Sequence, residues 1–431
     1  MNALASRLYR FLYSCLFYLV IPLALARLLY RSLKEPDYRT GIFERFGFFK
    51  SAHAGEVIWV HAVSAGETIA AAPLINQLLA AGHACLVTNM TPTGRERVKT
   101  LLGGRVENCY APYDLPGSLG RFLEANRPKL MITIDTELWP NTIAACAQRG
   151  VPTAIVNGRM ASRSAEGYRR FDALSRPMMA SLDLVAVQTE AHAQRFADLG
   201  ASPATVNVTG SIKFDGEYSV DHEERLTSVR SMVADRPVLL AASTHEGEEA
   251  ALLETLGSLK AVLADVLVVF APRHTHRADH VDRLCRGAGW QVQRLSERDP
   301  LAATTEILLI DLMGELESWF GVARVAFIGG SLVPVGGHNL LEAVRADAAV
   351  IMGSHLDNID DIAQQFIDRD AMVIVDNQQD LQARVVALMQ DEAQRRALAT
   401  AANEVLASNR GSVARSRDLL LELIRTTHST N

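Results

Sequence analysis

The sequence predicts an α/β protein made of two Rossmann-like halves behind an apolar amino-terminal helix. Three observations predict it. Short β-rich runs alternate with helical patterns through connections of a few residues, which is the pattern of a parallel, doubly wound sheet. The alternation is broken once, by the polar stretch "SIKFDGEYSVD" at 211–221, and then starts again. The chain is 431 residues long, more than one core usually serves and a natural length for two domains of about 200 residues. The expected division is a membrane-associated helix at 1–33, a first domain at 34–212 and a second at 213–431. Two such domains facing a cleft hold a ligand between the carboxyl ends of their strands.

The amino-terminal helix rests on "FLYSCLFYLVIPLALA", sixteen uncharged residues from Phe11 to Ala26. Arg7 and Arg10 precede them, and Arg27, Arg31 and Lys34 follow. A helix of that length reaches roughly 24 Å, short of a hydrocarbon core of about 30 Å. A cleaved leader ending at Ala24-Leu25-Ala26, a single-pass anchor and a helix lying in the interface all fit the pattern. Cys15, Cys85, Cys109, Cys146 and Cys285 are scattered without a C-x-x-C, a pattern of reducing compartments. Membrane attachment with the body in the cytoplasm is therefore the favoured reading. Net charge is −6, which argues against a general nucleic-acid binder.

The first series of strands reads "EVIWVHAV" (56–63), "ACLVTNM" (84–90), "KLMITID" (129–135), "PTAIVNG" (152–158) and "DLVAVQT" (183–189). The second reads "PVLLAAST" (237–244), "DVLVVFAPR" (265–273), "WQVQRL" (290–295), "EILLID" (306–311), "VAFIGGS" (325–331), "AAVIMG" (348–353) and "AMVIVD" (371–376). The closing segment from residue 381 onward is helical in pattern.

Chemistry concentrates just after these strands. Ser64-Ala65-Gly66-Glu67 matches the S-x-x-E capping box, in which the acid satisfies a backbone N–H. Spacing alone favours capping over a role for Glu67 as a proton acceptor. Asp135 and Glu137 lie two apart after a strand, so in an extended chain they share a face. Lys213 stands at the domain junction, either reaching a ligand or simply exposed in a linker. "APRHTHR" (271–277) brings Arg273 to a strand end, where its planar fork suits an anion. His274 and His276 lack a nearby third ligand, so no metal site is expected. "FIGGSLVPVGGHNLLEA" (327–343) follows a strand with Gly329, Gly330, Gly336 and Gly337 and then enters a helix near Asn339. Glycines admit a ligand close to the backbone, and free N–H groups at a helix start favour phosphate. Glu342, one turn in, is placed to accept hydrogen bonds from a ribose.

"HAVSAGET", "TPTGRERV", "YDLPGSLGRFL", "TELWPN", "GSIKFD", "STHEGEE", "APRH", "MGEL" and "GGSLVPVGGHNLLEA" occur in this order from about residue 35 to 355. Together they resemble the signature blocks of the Kdo transferases, which attach 3-deoxy-D-manno-oct-2-ulosonic acid (Kdo) to the lipid A precursor. The resemblance implies a GT-B fold, CMP-Kdo as donor substrate without a cofactor or required metal, lipid IVA as acceptor, inversion at the anomeric carbon, and a place on the cytoplasmic face of the inner membrane. It implies Glu67 as general base. It implies Pro272, Arg273, Met313, Gly314, Glu315, Asn339, Leu340, Leu341 and Glu342 as the CMP site, beside the Gly337 backbone. Lys213 and the acid opening the "TELWPN" region, Asp135, are implied as transition-state stabilisers with Glu137 beside them; the family usually carries Glu where this chain has Asp135.

On this reading the helix dipole keeps Glu67 ionised, and makes it a weaker base. The catalytic reading also directs its carboxylate into the cleft and away from the Ser64 backbone N–H. Two alternatives stand beside it: a nucleotide-sugar epimerase, which has no use for a membrane segment, and a membrane-tethered nucleotide-sugar sensor without turnover.

Overall fold

The computed structural model describes residues 3–429 apart from 34, 220, 298 and 299, so Lys34 lies outside the described residues. The chain forms two compact units. The first comprises Met1–Glu217 and Arg410–Asn431, and the second Tyr218–Asn409. The division therefore falls after Glu217, not after residue 212, and the closing segment belongs to the first unit, not the second. Asp215 explains the latter in part: its carboxylate accepts the N–H groups of Gly411 at 2.7 Å and Val413 at 2.6 Å. The helix Ser412–Ser429 then sinks Val413, Leu420 and Ile424 into the core of the first unit.

The strands of the first unit are β1 (Ile58–His61), β2 (Cys85–Asn89), β3 (Glu107–Tyr110), β4 (Leu130–Ile134), β5 (Thr153–Gly158), β6 (Leu184–Val187) and β7 (Val206–Val208). They form one parallel sheet in the order β3-β2-β1-β4-β5-β6-β7. Side chains alternate across the sheet. Ile58 and Val60 of β1 enter one apolar cluster, while Trp59, with Val57 just before the strand, enters the cluster on the other face. Burial on both faces explains why the central runs are continuously apolar. The edge strands β3 and β7 were not expected. "ENCY" opens on two half-buried polar residues and "VNV" is three residues long, so neither carries an apolar run.

The second unit holds β8 (Val238–Thr244), β9 (Leu267–Pro272), β10 (Val292–Arg294), β11 (Ile307–Leu309), β12 (Ala323–Ile328), β13 (Ala349–Gly353) and β14 (Val373–Val375). All pairs are parallel, in the order β10-β11-β9-β8-β12-β13-β14. Each of the seven strands lies within or beside its expected run. What the sequence does not reveal is that β11 sits next to β9, displacing β10 to the edge.

The amino-terminal helix is longer than its uncharged run, spanning Ala3–Arg31 and taking in the flanking arginines. Within Ala5–Arg31 an 18-residue stretch has a mean hydropathy of 1.9, and the helix is long and apolar enough to cross a membrane by length and composition. Leu16, Leu19 and Leu23 are exposed. Another side of the helix is seated on the first unit, where Ser14 and Asn141 exchange hydrogen bonds and Phe17 meets Trp139 edge-on at 6.2 Å. All five cysteines are free thiols.

Candidate functional site

Both units carry their candidate residues at the carboxyl end of the sheet, where strand order reverses. In the first unit the reversal lies between β1 and β4, and in the second between β8 and β12. Loops diverge at such a point and leave a crevice that binds ligands in open α/β sheets.

In the first unit, Glu67 lies in the first turn of the helix Ala65–Ala80 that follows β1. Ser64 is its N-cap, with Oγ accepting the Glu67 N–H at 3.4 Å. The carboxylate returns to the chain one residue earlier than a capping box requires. Its Oε2 accepts the Val63 N–H at 2.7 Å, and its Oε1 accepts the Ser64 hydroxyl at 3.0 Å. The Ser64 N–H is not its partner, but the carboxylate does cap, so the two roles posed as rivals share one conformation.

Ionisation departs from expectation. Burial pushes the Glu67 carboxyl up from 4.5 to about 7; the Val63 N–H opposes this, Asp135 adds to it, the Ser64 hydroxyl opposes it and Glu137 adds again. Desolvation thus outweighs the helix start that was expected to keep the group ionised. A carboxyl poised near neutrality is a better proton acceptor than an ordinary glutamate.

Asp135 and Glu137 stand close enough to act on Glu67, though not by sharing an extended face. β4 ends at Ile134, and Asp135 has φ +58°, a left-handed conformation that Asp tolerates better than most residues. Asn157, also left-handed at φ +64°, donates its side-chain N–H to Asp135 Oδ1. Its own Oδ1 accepts the Ile212 N–H at 3.1 Å. Asn157 therefore ties the Asp135 turn to the short 3-10 helix Ile212–Asp215 that carries half-buried Lys213. Glu137 accepts the Trp139 indole N–H at 2.9 Å, and burial, opposed by that bond and reinforced by Asp135, raises its carboxyl as well.

In the second unit, Pro272 ends β9 and the Arg273 N–H donates to Thr244 O at 3.0 Å. The Arg273 guanidinium is exposed, with no hydrogen-bond or ion-pair partner among the described residues. Arg277, from the same motif, is committed instead to buried Glu249, at 2.7 and 3.2 Å. Because β11 pairs with β9, the loop bearing Met313, Gly314 and Glu315 follows the strand next to the one that ends at Arg273. Gly314 is left-handed at φ +87°, and its carbonyl accepts from Arg225 at 3.1 Å, while Arg225 also pairs with Glu315 at 3.6 Å.

The glycine-rich loop after β12 is held from within. Glu248, fully buried, accepts four backbone N–H groups: His245 and Gly330 at 2.8 Å, Ser331 at 3.1 Å and Leu332 at 3.0 Å. Gly337, at φ +75°, donates its N–H back to Gly330 O at 2.7 Å. The helix Leu341–Arg345 begins two residues after Asn339, whose Oδ1 accepts the Leu341 N–H at 3.2 Å; Leu340 is its N-cap. Asn339 also donates to Glu342 at 3.1 Å; burial raises that carboxyl, against Arg345, the Asn339 bond and Arg273.

Sequence reasoning missed Glu248, Asn157 and a histidine pair. His245 and His338 meet Nε2 to Nε2 at 2.8 Å, with rings 5.1 Å apart and nearly parallel. Burial, with Arg273, His245 and His274 adding to it, lowers His338 to about 4, so it is neutral at pH 7. The available signal was position: His245 and Glu248 follow β8, and His338 lies in the glycine motif. Among the described residues no group of three or more His, Cys, Asp and Glu is placed to hold a metal ion. The first unit thus offers proton acceptors, and the second offers a cation and a glycine-rich backbone turn suited to an anionic ligand.

The protein-family model described as 3-Deoxy-D-manno-octulosonic-acid transferase (kdotransferase) matches residues 40–216. A 3-deoxy-D-manno-octulosonic acid transferase of Haemophilus influenzae is 37% identical over 419 residues, covering 96% of this chain and 98% of that one. The enzyme of that name from Bordetella pertussis is 34% identical, covering 88% of this chain and 90% of that one. Among solved structures, UDP-GlcNAc 2-epimerase from Neisseria meningitidis matches with a TM-score of 0.61 at 14% identity, over 85% of this chain and 99% of that one. That likeness concerns the fold, which is of the GT-B type. The relatives cover nearly the whole chain, and this chain belongs to the 3-deoxy-D-manno-octulosonic acid (Kdo) transferase family.

Proposed function

We propose that this protein transfers Kdo from CMP-Kdo to lipid IVA, in the assembly of lipopolysaccharide at the cytoplasmic face of the inner membrane. Family membership supports the transfer of Kdo. The observation that carries the site assignment is the Glu67 carboxyl, half-buried near Asp135 and Glu137 and lifted to about 7. Such a group takes the proton of an acceptor hydroxyl as that oxygen attacks the anomeric carbon, and a single displacement inverts the configuration. Asn157 fixes the Asp135 carboxylate, and Lys213, on the adjoining turn, offers a cation for the charge that develops.

The second unit receives the donor. Arg273 pairs with phosphate oxygens of CMP through its uncommitted fork. Gly337 and the turn at Asn339 bring backbone close to the nucleotide, and Met313, Gly314 and Glu315 flank it from the loop after β11. Glu342, whose carboxyl burial raises, hydrogen-bonds the ribose. CMP leaves with its phosphate charge held by Arg273, so the reaction is proposed to run without a cofactor or metal. The apolar helix Ala3–Arg31 keeps the first unit at the membrane that carries the acceptor. The epimerase alternative is supported by fold alone, and a sensor would have no need of the lifted Glu67 carboxyl.

The experiment is incubation of the purified protein with CMP-Kdo and lipid IVA, followed by mass spectrometry of the lipid. Addition of one or more Kdo units is expected. Unchanged lipid alongside intact CMP-Kdo would count against the proposal.

A further inference from the structure

A small cavity in the first unit has walls from three sources: the ends of its strands, the loop bearing Trp139, and the amino-terminal helix. Phe17, Trp59, Met90 and Trp139 form its apolar lining, and His61 and Tyr113 bring polar atoms to it. Tyr113 is 6% exposed, and its hydroxyl is buried without a hydrogen-bond partner among the described residues. An unpaired buried hydroxyl costs free energy, so such a group needs an explanation. His61 is 4% exposed; the Thr88 hydroxyl, which accepts the Trp59 indole N–H at 2.8 Å, holds its Nδ1 at 2.9 Å and leaves Nε2 as the remaining polar atom of the ring.

The occupant follows from size, charge and position. The volume open to the centre of a water-sized sphere is about 20 Å³, room for one oxygen and no more. His61 is neutral, because burial lowers it to about 4. Asp114, the acid at the rim, spends its oxygens on the Asn141 and Thr142 N–H groups and the Thr142 hydroxyl, at 3.1, 2.7 and 2.7 Å. The Arg45 guanidinium donates to Met90 O at 3.1 Å and is near enough to act on the Tyr113 hydroxyl, so it is size that decides: room for one oxygen admits a carbonyl and excludes a phosphate. Trp139 joins its two neighbours: its indole N–H binds Glu137 at 2.9 Å, and its ring meets Phe17 edge-on. A ligand with its sugar hydroxyl at the carboxylates and its hydrocarbon beside the apolar helix passes this point where head meets tail.

We infer that the Tyr113 hydroxyl and the His61 ring bind the carbonyl oxygen at the root of one acyl chain of the acceptor. The inference rests on the proposed acylated acceptor and names the part of it that this cavity reads.

The test is Tyr113→Phe, assayed on the ester- and amide-linked acceptor and on an analogue in which ether linkages replace those carbonyls. The hydroxyl has no partner among the described residues, so its removal leaves the thermal unfolding midpoint unchanged or raises it. The KM for the acylated acceptor is expected to rise about 5- to 10-fold, the value of one hydrogen bond, with kcat and CMP affinity unchanged. The ether analogue raises the wild-type KM by a similar factor, and Tyr113→Phe adds little to it. A lowered midpoint with an unchanged KM would mean that the hydroxyl serves only a buried water, and would overturn the inference. So would full additivity of the variant and ether effects, or an effect that tracks ether-linked bilayer lipid in place of the acceptor. Failure of the wild-type protein to transfer Kdo to the acylated acceptor would instead strike the transferase proposal itself.

Discussion

The two units use the same seven-stranded parallel architecture and place opposite chemistry at the same end of it. After β1 and β4 the first unit gathers Glu67, Asp135 and Glu137; after β8, β9 and β12 the second gathers His245, Arg273 and His338. The Glu67 and Glu137 carboxyls, raised by burial, suit proton acceptance, while the Arg273 guanidinium, unpaired among the described residues and near a glycine-rich turn, suits an anion. The fold fixes where a site lies, and a few loop residues fix what it does. The units also differ in how the loops are held. In the first, side chains such as Asn157 bridge neighbouring turns; in the second, one buried carboxylate, Glu248, gathers four backbone N–H groups.

The largest expected effect tests the acidic side of this comparison. Glu67→Gln keeps the capping geometry through its amide oxygen but removes the proposed proton acceptor, and is expected to lower kcat by about 10²- to 10⁴-fold. CMP affinity, measured by calorimetry, stays at the wild-type value because the second unit is untouched. The same substitution alters stability. A carboxyl raised from 4.5 to about 7 contributes stability that is fully present below 4.5 and is lost as pH rises through 7. Glu67→Gln therefore unfolds at a higher temperature than wild type at pH 8, and the difference shrinks at pH 5.

Glu248→Ala tests the loop support of the second unit. Four backbone N–H groups lose their acceptor inside the protein, at a cost of about 3 kcal/mol or more. A clear fall in the unfolding midpoint is expected, with weakened CMP binding at temperatures where the variant is still folded. Wild-type stability would show that water satisfies those groups and that the carboxylate is not what holds the loop. Arg273→Ala has the smaller expected effect of the two, because its guanidinium has no hydrogen-bond or ion-pair partner among the described residues. Its unfolding midpoint should match wild type while the Kd for CMP rises about 10- to 100-fold, the loss of charge-assisted hydrogen bonds.

Legibility in the sequence followed burial. Strands covered on both faces, such as β1 and β9, are apolar runs that show themselves, whereas β3 and β7 lie at the edge and look like loop. The order of β10 and β11 was hidden because parallel crossovers of similar length serve either arrangement. That order sets the loop bearing Met313, Gly314 and Glu315 after the strand beside the one that ends at Arg273, so part of the site was readable as motifs but not as geometry. Glu67 shows the same limit. Spacing identified the helix start, but its ionisation depends on how deeply the turn is buried and on two acids about seventy residues away in sequence. Glu248 is one of three acids in "HEGEE", and nothing local shows that its partners include residues 330–332.

The pH dependence of Kdo transfer tests the central claim most directly. The account predicts that kcat/KM rises with pH as Glu67 loses its proton, with a single inflection at about 7, and that this inflection disappears from the residual activity of Glu67→Gln. A profile flat from pH 5 to 8, or an inflection near 7 that survives in Glu67→Gln, would contradict it.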